Sequence, residues 1–379
     1  MENGLRSSMF ESNGVIVVNV LIIGYLHDKY DKRVFRTVNA LSKRAKVMYQ
    51  YFSKQPAKPY YEGNVHYYPL TKSSERNPLK KIKSRVDFDR SIVKLIKTAE
   101  YDILYMHAFP FSMPLAAFKW AKKRNKVVVY DLHELHPEDM FENLPAPLRY
   151  LKRFIFWNVF RKQIELCDKI ICVSQDTETT IFEKIGLRKP SLVVPNYASL
   201  KLSSPSKNKE ICIVGKTPRG LSQAHIKLLS RLNEAGFLIK VIGYTPNFPD
   251  DLKYISLEAL PYERMMEEIS KSAFSFISYD PPSGKSSKNY MFALPNKFFD
   301  SISAGTPVIV RDSFVTMSKL VKELGIGVVI EPEDVDKSVE DILRAYENYE
   351  ILFENVVKYQ DMFVWDEVKE KEFVEFVIG

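Results

Sequence analysis

Short runs of β-branched and apolar residues alternate with helical segments along this chain of 379 residues. This alternation is typical of α/β proteins, in which helices connect the strands of a parallel sheet. It occurs twice, and the polar stretch at 203–209, which reads SSPSKNK, separates the two cycles as a linker would. We therefore predict two Rossmann-like, doubly wound domains that face a central cleft. Ligands are expected beyond the carboxyl ends of the strands.

The apolar runs also give the positions of the predicted elements. In the first cycle we expect strands at 15–23, 45–51, 65–69, 103–107, 127–131, 169–173 and 192–195. In the second cycle we expect strands at 210–214, 238–242, 254–257, 273–278, 307–310 and 327–330. The predicted helices include 31–43, 88–99, 222–235, 262–270, 295–304, 337–348 and 361–376. The resulting domains are 1–204 and 205–360, followed by a C-terminal helix at 361–379 that packs back on the first domain.

The charge of the chain is unevenly distributed. Residues 1–204 contain 34 Lys and Arg against 20 Asp and Glu, a net charge of +14, whereas residues 205–379 contain 21 against 27, a net charge of −6. Such asymmetry predicts that the first domain contacts a polyanion or an anionic membrane surface.

The sequence features that bear on targeting and on redox state favour a cytoplasmic location. The first apolar stretch, 15–24, is shorter than the roughly 20 residues that span a bilayer, and residues 1–14 lack the charged-then-apolar order of a signal peptide. Cys167, Cys172 and Cys212 have neither metal-ligand nor redox spacing, so we expect buried, reduced thiols. We therefore expect a cytoplasmic protein that is neither secreted by that route nor threaded through a membrane.

Polar residues follow the predicted strands of the first cycle. Gly24 follows the first predicted strand, where glycine allows a tight turn and close approach of a ligand, or serves packing alone. The motif YDLHE at 130–134 brings ionisable groups to the end of a buried strand. Such ends lie at the ligand-binding edge of a parallel sheet, which predicts a functional role for His133. His107 also ends a strand, and it is equally typical of a hydrogen-bonded core histidine.

Two cations follow the first strand of the second cycle. Gly215 turns the chain, and Lys216 and Arg219 precede a predicted helix. Cations beside a helix N-terminus suit a diphosphate group, although basic loop residues are also commonly only solvated.

The stretch at 289–308, NYMFALPNKFFDSISAGTPV, is the most specific of the sequence. Pro295 pre-sets the first helical turn, whose unpaired N–H groups are suited to phosphate. Asn296 and Lys297 stand in that turn, and Asp300 lies about one turn later, where it can accept bonds from ribose hydroxyls.

Six motifs, in this order and spacing, resemble those of the family-4 group of retaining GT-B glycosyltransferases along nearly the whole chain. They are His27-Asp28 with Arg33-Val34-Phe35-Arg36, Tyr130-Asp131-Leu132-His133-Glu134, Cys172-Val173-Ser174, Val194-Pro195-Asn196, Gly215-Lys216 with Arg219-Gly220, and Pro295-Asn296-Lys297-Phe298-Phe299-Asp300 with Ala304-Gly305-Thr306-Pro307.

The resemblance implies a metal-independent hexosyltransferase that moves a sugar, with retention, from a nucleotide-diphosphate donor to a hydroxyl of a lipid-linked or polysaccharide precursor. The first domain would bind the acceptor and the second the nucleotide sugar, which is a substrate and not a cofactor. The other expected partner is an anionic membrane surface on the inner face of the cell membrane, with no nucleic acid.

The resemblance also assigns roles to the motif residues. Lys216 and Arg219 resemble the pair that holds the donor diphosphate, Asp300 stands where the family binds the ribose, and His133 stands where a histidine contacts the donor sugar near its reacting carbon. The remaining residues of the predicted site are Gly215, Asn296 and Lys297 on the donor side and Gly24, His27, Asp28, His107 and Glu134 on the acceptor side.

One departure keeps alternatives open. The first glutamate of the family's E-x7-E motif would fall at Phe292, and Asn289, Asn296 or Lys297 would have to take over its role. The alternatives are a GT-B sugar-nucleotide epimerase and a catalytically silent homologue that acts as a partner subunit.

Two further patterns have competing interpretations. Asp87-Phe88-Asp89 spells the DxD of metal-dependent glycosyltransferases but starts a lysine-rich helix, so we expect no metal there. The segment 148–167 mixes aromatic and basic residues. It is either an amphipathic core helix or an interfacial helix that lies on anionic lipid.

Overall fold

The structure of the protein, a computed structural model, describes residues 18–73, 77–107, 112–135, 137–138, 140–141, 144–202, 207–216, 220–280 and 287–379. The chain divides into two compact units. The first unit comprises Met1–Pro137, Tyr150–Val194 and Glu367–Gly379, and the second comprises Glu138–Arg149 and Pro195–Asp366. Residues 1–14, residues 15–17 of the first predicted strand and residues 203–206 of the predicted linker lie outside the described residues.

The first unit is built on a mostly parallel sheet. Its strands are β1 Asn19–Asp28, β2 Lys46–Phe52, β3 Tyr60–Glu62, β4 Val65–Leu70, β5 Ile103–Met106, β6 Val127–Leu132, β7 Lys169–Cys172 and β8 Ser191–Val193. They follow the order β3-β4-β2-β1-β5-β6-β7-β8, and only β3 is antiparallel among the described pairs. The helices of this part of the chain are α1 Lys32–Ser42, α2 Pro78–Thr98, α3 Ala116–Lys123, α4 Ala146–Leu166 and α5 Gln175–Ile185.

The second unit has a smaller, fully parallel sheet in its described residues. Its strands are β9 Asn208–Val214, β10 Leu238–Ile242, β11 Tyr254–Leu257, β12 Ser272–Ile277, β13 Val308–Arg311 and β14 Gly327–Ile330, in the order β11-β10-β9-β12-β13-β14. Its helices are α6 Gln223–Glu234, α7 Tyr262–Lys271, α8 Lys288–Met291, α9 Asn296–Ser303, α10 Val315–Leu324, α11 Val335–Glu347 and α12 Tyr349–Tyr359. The prediction of two Rossmann-like units is therefore confirmed.

The central strands explain why the apolar runs form parallel sheets. Val20, Leu21, Ile22 and Ile23 of β1 are fully buried. A strand that is covered on both faces needs an unbroken apolar run. In an alternating apolar and polar pattern, the polar side chains of one face would be buried in the core. No helix in the described part of the chain is both long and apolar enough to cross a membrane.

Gly24 lies inside β1 and not in a turn after it, which corrects the sequence prediction. A Cβ atom at Gly24 would lie 2.9 Å from the Gln50 carbonyl oxygen and 2.9 Å from the Tyr49 ring, so glycine is needed for close packing on β2. The irregularity comes one residue later, because Tyr25 has φ = +59°. The Gln50 side chain holds this conformation, since it accepts from the Tyr25 N–H at 2.9 Å and donates to the Tyr25 carbonyl at 3.1 Å.

The boundary between the two units lies after Val194, earlier than the predicted 204/205 boundary. The reason is that the chain pairs with the second unit soon after this point. Ala198 forms a parallel bridge with Val364, and the Leu202 N–H donates to the Ser303 carbonyl at 2.9 Å.

The segment that was predicted as the last helix forms two separate elements. A 3-10 turn at Gln360–Phe363 stays with the second unit, and a separate helix, α13 Glu367–Ile378, belongs to the first unit. Within that unit, the Lys169 ammonium group donates to the Phe376 carbonyl at 2.8 Å. Pairing of Val364 with Ala198 requires extended backbone, which explains why one continuous helix does not form here.

Candidate functional site

In the first unit, polar residues converge where neighbouring parallel strands end. His107 directly follows β5, Asp131 is the second-to-last residue of β6, and His133 directly follows β6. Strands β5 and β6 are paired in parallel, so these side chains meet at one edge of the sheet. The His107 Nδ1 and His133 Nε2 atoms are 2.9 Å apart.

Asp131 is the centre of this cluster and is paired with Arg33 of α1. The Arg33 Nη2 donates to Oδ1 at 2.6 Å, and its Nε lies 3.1 Å and 3.2 Å from the two carboxylate oxygens. The Tyr105 hydroxyl donates to Oδ2 at 2.9 Å. Arg33 also donates to the Val194 carbonyl at 2.6 Å, so the ion pair fixes α1 against strand ends of the unit. Sequence reasoning did not find this pair or the role of Tyr105.

Charge and burial act in opposite directions on Asp131. Burial alone would raise the pKa of this carboxyl group, but the Arg33 guanidinium and the hydrogen bond from His107 outweigh it and hold the pKa well below its usual value. Asp131 is therefore a buried carboxylate and not a proton donor at neutral pH.

The two histidines next to Asp131 are neutral. Burial lowers the pKa of His107 and, more strongly, that of His133, although the negative charge of Asp131 opposes the change. A carboxylate only accepts hydrogen bonds, and the His107 Nδ1 lies 3.3 Å from Asp131 Oδ2, so we assign a proton to that nitrogen. The His133 Nε2 is then an acceptor, and the proton of His133 is on Nδ1.

The other predicted acceptor-side residues differ in their contacts with this cluster and in their exposure. The His27 ring centre lies 4.9 Å from that of His133, and its Nδ1 contacts Asp31 Oδ2 at 3.1 Å. Asp31 also caps α1, because it accepts from the Arg33 N–H at 3.2 Å. Asp28, at the end of β1, is exposed, and so is Glu134. The structure thus brings His27, His107 and His133 together.

His107, Asp131 and His133 also have the donor atoms of a metal site, all within 4.8 Å of one another. A divalent cation bound here would stand beside the positively charged Arg33 and would compete with it for the Asp131 carboxylate. We therefore interpret Asp131 as a buried carboxylate that pairs with Arg33 and not as a metal ligand.

In the second unit, Gly215 and Lys216 follow β9. The Gly215 N–H donates to the Ile242 carbonyl at 3.0 Å, and Lys216 comes next with an exposed side chain. Glycine is required opposite this loop, because a Cβ atom at Gly243, where φ is +101°, would lie 2.1 Å from the Gly215 carbonyl oxygen. Arg219, the second predicted cation, lies outside the described residues.

Helix α9 carries the remaining predicted donor residues. Pro295 is its N-cap and not its first helical residue, and Asn296 begins the helix with an exposed side chain. The Lys297 ammonium group lies 4.9 Å from the centre of the Tyr279 ring. Because Tyr279 follows β12 and β12 is paired with β9, the start of α9 and the Lys216 loop lie at the same edge of this sheet.

Asp300 is more deeply buried than Asn296 and Lys297, with 4% of its surface exposed. Its Oδ1 accepts from the Tyr262 hydroxyl at 2.8 Å, and that hydroxyl accepts from the Ser199 N–H at 3.0 Å. Burial first and the charge of Asp300 second raise the pKa of Tyr262, so the phenol keeps its proton as the donor. A carboxylate has about four acceptor positions, so the bond from Tyr262 uses only part of the hydrogen-bonding capacity of Asp300.

A buried arginine joins the strand ends of this sheet, and sequence reasoning missed it. Arg311, the last residue of β13, is fully buried, and its Nη2 donates to both carboxylate oxygens of Glu333 at 2.8 and 2.9 Å. It also pairs with Asp280, which follows β12. An arginine at the end of an apolar strand was the available signal, since a buried guanidinium needs acidic partners.

Comparisons with known proteins agree with this architecture. Residues 31–201 match the family model described as Glycosyltransferase Family 4. Among curated proteins, no sequence matches this chain.

Solved structures resemble nearly the whole chain at low sequence identity. Sucrose-phosphate synthase from Thermosynechococcus elongatus has 11% identity and a TM-score of 0.66, over 94% of this chain and 98% of that one. A structure from E. coli, described as trehalose-6-phosphate bound with UDP-2-fluoro glucose, has 12% identity and a TM-score of 0.67, over 95% and 98%. WaaG, a glycosyltransferase involved in lipopolysaccharide biosynthesis, has 11% identity and a TM-score of 0.63, over 95% and 100%. The shared architecture is the GT-B fold.

Proposed function

We propose, from the premise that residues 31–201 are a Glycosyltransferase Family 4 domain within a GT-B fold, that this chain moves a sugar from a nucleotide-diphosphate donor to an acceptor hydroxyl with retention of configuration. The acceptor class is a lipid-linked or polysaccharide precursor. The observation that carries the proposal is the family match together with the cationic edge of the second sheet, where Lys216 and the start of α9 lie.

The donor diphosphate binds at that edge of the second unit. Lys216 and Arg219 neutralise the charge that develops as the diphosphate leaves, and the dipole of α9 favours an anion at the start of that helix. Gly215 allows the loop to approach the phosphates, and Asn296 and Lys297 take the place of the acid missing at Phe292. UDP sugars are the first donors to test, because the E. coli structure is described with UDP-2-fluoro glucose.

His133 of the first unit contacts the transferred sugar as a neutral hydrogen-bonding group. Its Nε2 accepts from His107, so its Nδ1–H is the donor, and Asp131 keeps His107 in the matching tautomer. His27, Asp28 and Glu134 belong to the acceptor side. The acceptor hydroxyl attacks the face that the diphosphate leaves, which retains the anomeric configuration.

Substitutions of Asp300 and of His133 are expected to change different kinetic parameters. Asp300→Ala removes ribose binding, so KM for the donor rises more than kcat falls, whereas His133→Ala lowers kcat more than it weakens nucleotide binding. Asp300→Asn, which keeps an acceptor oxygen, is the matched control and should recover part of the donor affinity. Steady-state kinetics with the identified donor measures both effects, and a nucleotide complex with Asp300 remote from the ribose would contradict the assignment.

Metal is expected to be dispensable for transfer. Lys216 and Arg219 supply the positive charge that a cation supplies in metal-dependent enzymes, and Asp89 of the DxD-like segment is committed to Tyr25, whose hydroxyl donates to it at 2.8 Å. Incubation with EDTA should leave the rate unchanged. Loss of activity with EDTA that manganese or magnesium restores would contradict this prediction.

Two helices of the first unit suit a membrane surface at the inner face of the cell membrane. The first half of α4 exposes Tyr150, Leu151, Phe154 and Ile155 by half or more of their surface, while its second half has a buried face formed by Trp157, Phe160, Gln163 and Ile164. The start of α2 exposes Leu79 and Ile82 beside Lys80, Lys81 and Lys83. Apolar side chains among cations are the pattern of helices that lie on anionic lipid.

Binding to vesicles tests this surface. Each basic residue near an anionic bilayer contributes roughly 1 kcal/mol, so binding should require anionic lipid and fall steeply with added salt. Leu151→Gln with Phe154→Gln should weaken binding to phosphatidylglycerol vesicles, whereas Val368→Gln, at an exposed apolar position of α13, should not. Equal recovery of the protein in the supernatant with neutral and anionic vesicles at low salt would refute the interpretation.

A further inference from the structure

A loop of the first unit is tied to the start of α2. Lys72 lies two residues after the end of β4, with a half-buried side chain. The next residue, Ser73, donates from its hydroxyl to the Ser84 hydroxyl at 2.9 Å, and Ser84 donates back to the Ser73 carbonyl at 3.1 Å. These two bonds hold Lys72 beside the first two turns of α2, which also carry Lys81 and Arg85.

Arg85 is held in a fixed orientation. Its Nε donates to the Tyr25 hydroxyl at 2.9 Å, and its guanidinium carbon lies 5.0 Å from the centre of the Tyr25 ring. The Tyr25 hydroxyl in turn donates to the buried carboxylate of Asp89, which lies 4.0 Å from the Arg85 Nε. Tyr25 is the residue of β1 with positive φ, and it stands between Gly24 and His27 on the predicted acceptor side.

The three cations influence one another. Burial first, and then the positive charges of Arg85 and Lys81, lower the pKa of Lys72, and Asp89 offsets this only in part. Lys81 and Arg85 lie one turn apart on the same face of α2, and Ser84 of that helix is bonded to Ser73, the neighbour of Lys72, so a bound anion would offset the repulsion between these cations. The cluster also lies at the carboxyl edge of the first sheet, because β4 is parallel to β2 and Lys72 follows its end.

We propose that Lys72, Lys81 and Arg85 form a phosphate-binding site on the first unit, which takes the phosphate or diphosphate group of the acceptor. The assignment to the acceptor rests on the proposed transferase function, whereas the anion site stands on the geometry alone. Two ammonium groups and one planar guanidinium match the charge and the oxygen geometry of a phosphate or diphosphate. The phosphate can belong to a soluble molecule or to a lipid headgroup at the membrane surface.

Pyrophosphate is the probe for the site. Hydrogen exchange of the full chain, followed by mass spectrometry, should show pyrophosphate-dependent protection in peptides that cover 70–90. The affinity measured from this protection should fall about tenfold for each cation removed, as expected for charge-assisted hydrogen bonds. Arg85→Lys should recover only part of the affinity that Arg85→Gln loses, since a lysine keeps the charge but not the planar fork.

The controls separate this site from the donor site and from general charge. Lys94→Gln removes an exposed cation from the same helix and should leave the protection unchanged. Lys216→Ala should also leave it unchanged. The double variant Lys72→Gln/Lys81→Gln should lose it without touching Arg85, which packs on Tyr25, so a folding defect of Arg85 variants does not decide the test.

Vesicles of phosphatidylglycerol distinguish the two sources of phosphate. If the probe protects 70–90 in the wild type but not in the double variant, the site takes a free phosphate group. If vesicles, and not pyrophosphate, protect 70–90 in the wild type but not in the double variant, the site takes a lipid headgroup phosphate. Protection confined to peptides around Lys216, or equal losses for Lys94→Gln and for the double variant, would overturn the proposal even if sugar transfer is demonstrated.

Discussion

Replacement of Lys216 with alanine is expected to lower kcat by about 10²–10³, the usual cost of removing one group that stabilises charge on a departing oxygen. Lys216 follows β9 at the same edge of the sheet as the start of α9, and its side chain is exposed. Arg219→Ala should give a loss of similar size. Steady-state kinetics under donor saturation measures the effect.

A matched lysine checks that the loss is local. Lys227→Ala removes an exposed cation from α6 of the same unit and should keep near-normal turnover. If Lys216→Ala and Arg219→Ala both turn over at the wild-type rate, the diphosphate is not held by this loop and the donor assignment is wrong.

The second large effect is expected at Asp131. Asp131→Ala leaves the Arg33 guanidinium buried without its carboxylate and takes the acceptor away from Tyr105. Removal of one partner from a buried ion pair typically lowers the free energy of unfolding by about 3–5 kcal/mol. Chemical denaturation of the purified variant, followed by circular dichroism, should show a correspondingly lower midpoint.

Two comparisons isolate the ion pair as the cause. Asp87→Ala removes an acid of the same unit whose side chain is 51% exposed, and it should cost under about 1 kcal/mol. The double variant Arg33→Met/Asp131→Leu leaves no unpaired charge and should be more stable than Asp131→Ala alone. A midpoint for Asp131→Ala equal to that of Asp87→Ala would show that the pair does not support the fold.

Much of the fold could be predicted because buried parallel strands have a local signature. The apolar runs located β10, β11 and β14 at the observed bounds. Strand β3 was missed, since it has three residues at the sheet edge and Tyr61 and Glu62 face solvent. Helix α2 begins at Pro78 and not at residue 88, because its exposed first turns lack apolar periodicity, whereas Asn77 caps it by accepting from the Leu79 N–H at 2.9 Å.

The positions of candidate residues were predictable where residues end strands, and not where partners are distant in sequence. The positions of His107, His133 and Lys216 followed from the strand pattern alone. The pairing of Arg33 with Asp131 joins residues 98 positions apart, and that of Tyr262 with Asp300 joins residues 38 positions apart. Such pairs depend on strand order, which the local pattern does not give, so Tyr105, Tyr262 and Arg311 could not be assigned roles beforehand.

The most direct test of the donor assignment is nucleotide-sugar binding by the wild type and by Lys216→Ala. Both proteins would be heated with UDP, GDP, ADP and CMP sugars, because a ligand that binds the native state raises its melting temperature. The account predicts that one nucleotide class raises the Tm of the wild type and raises that of Lys216→Ala distinctly less. No rise with any of the four classes, or an equal rise in both proteins, would contradict the claim that the second unit binds the donor of a glycosyltransferase.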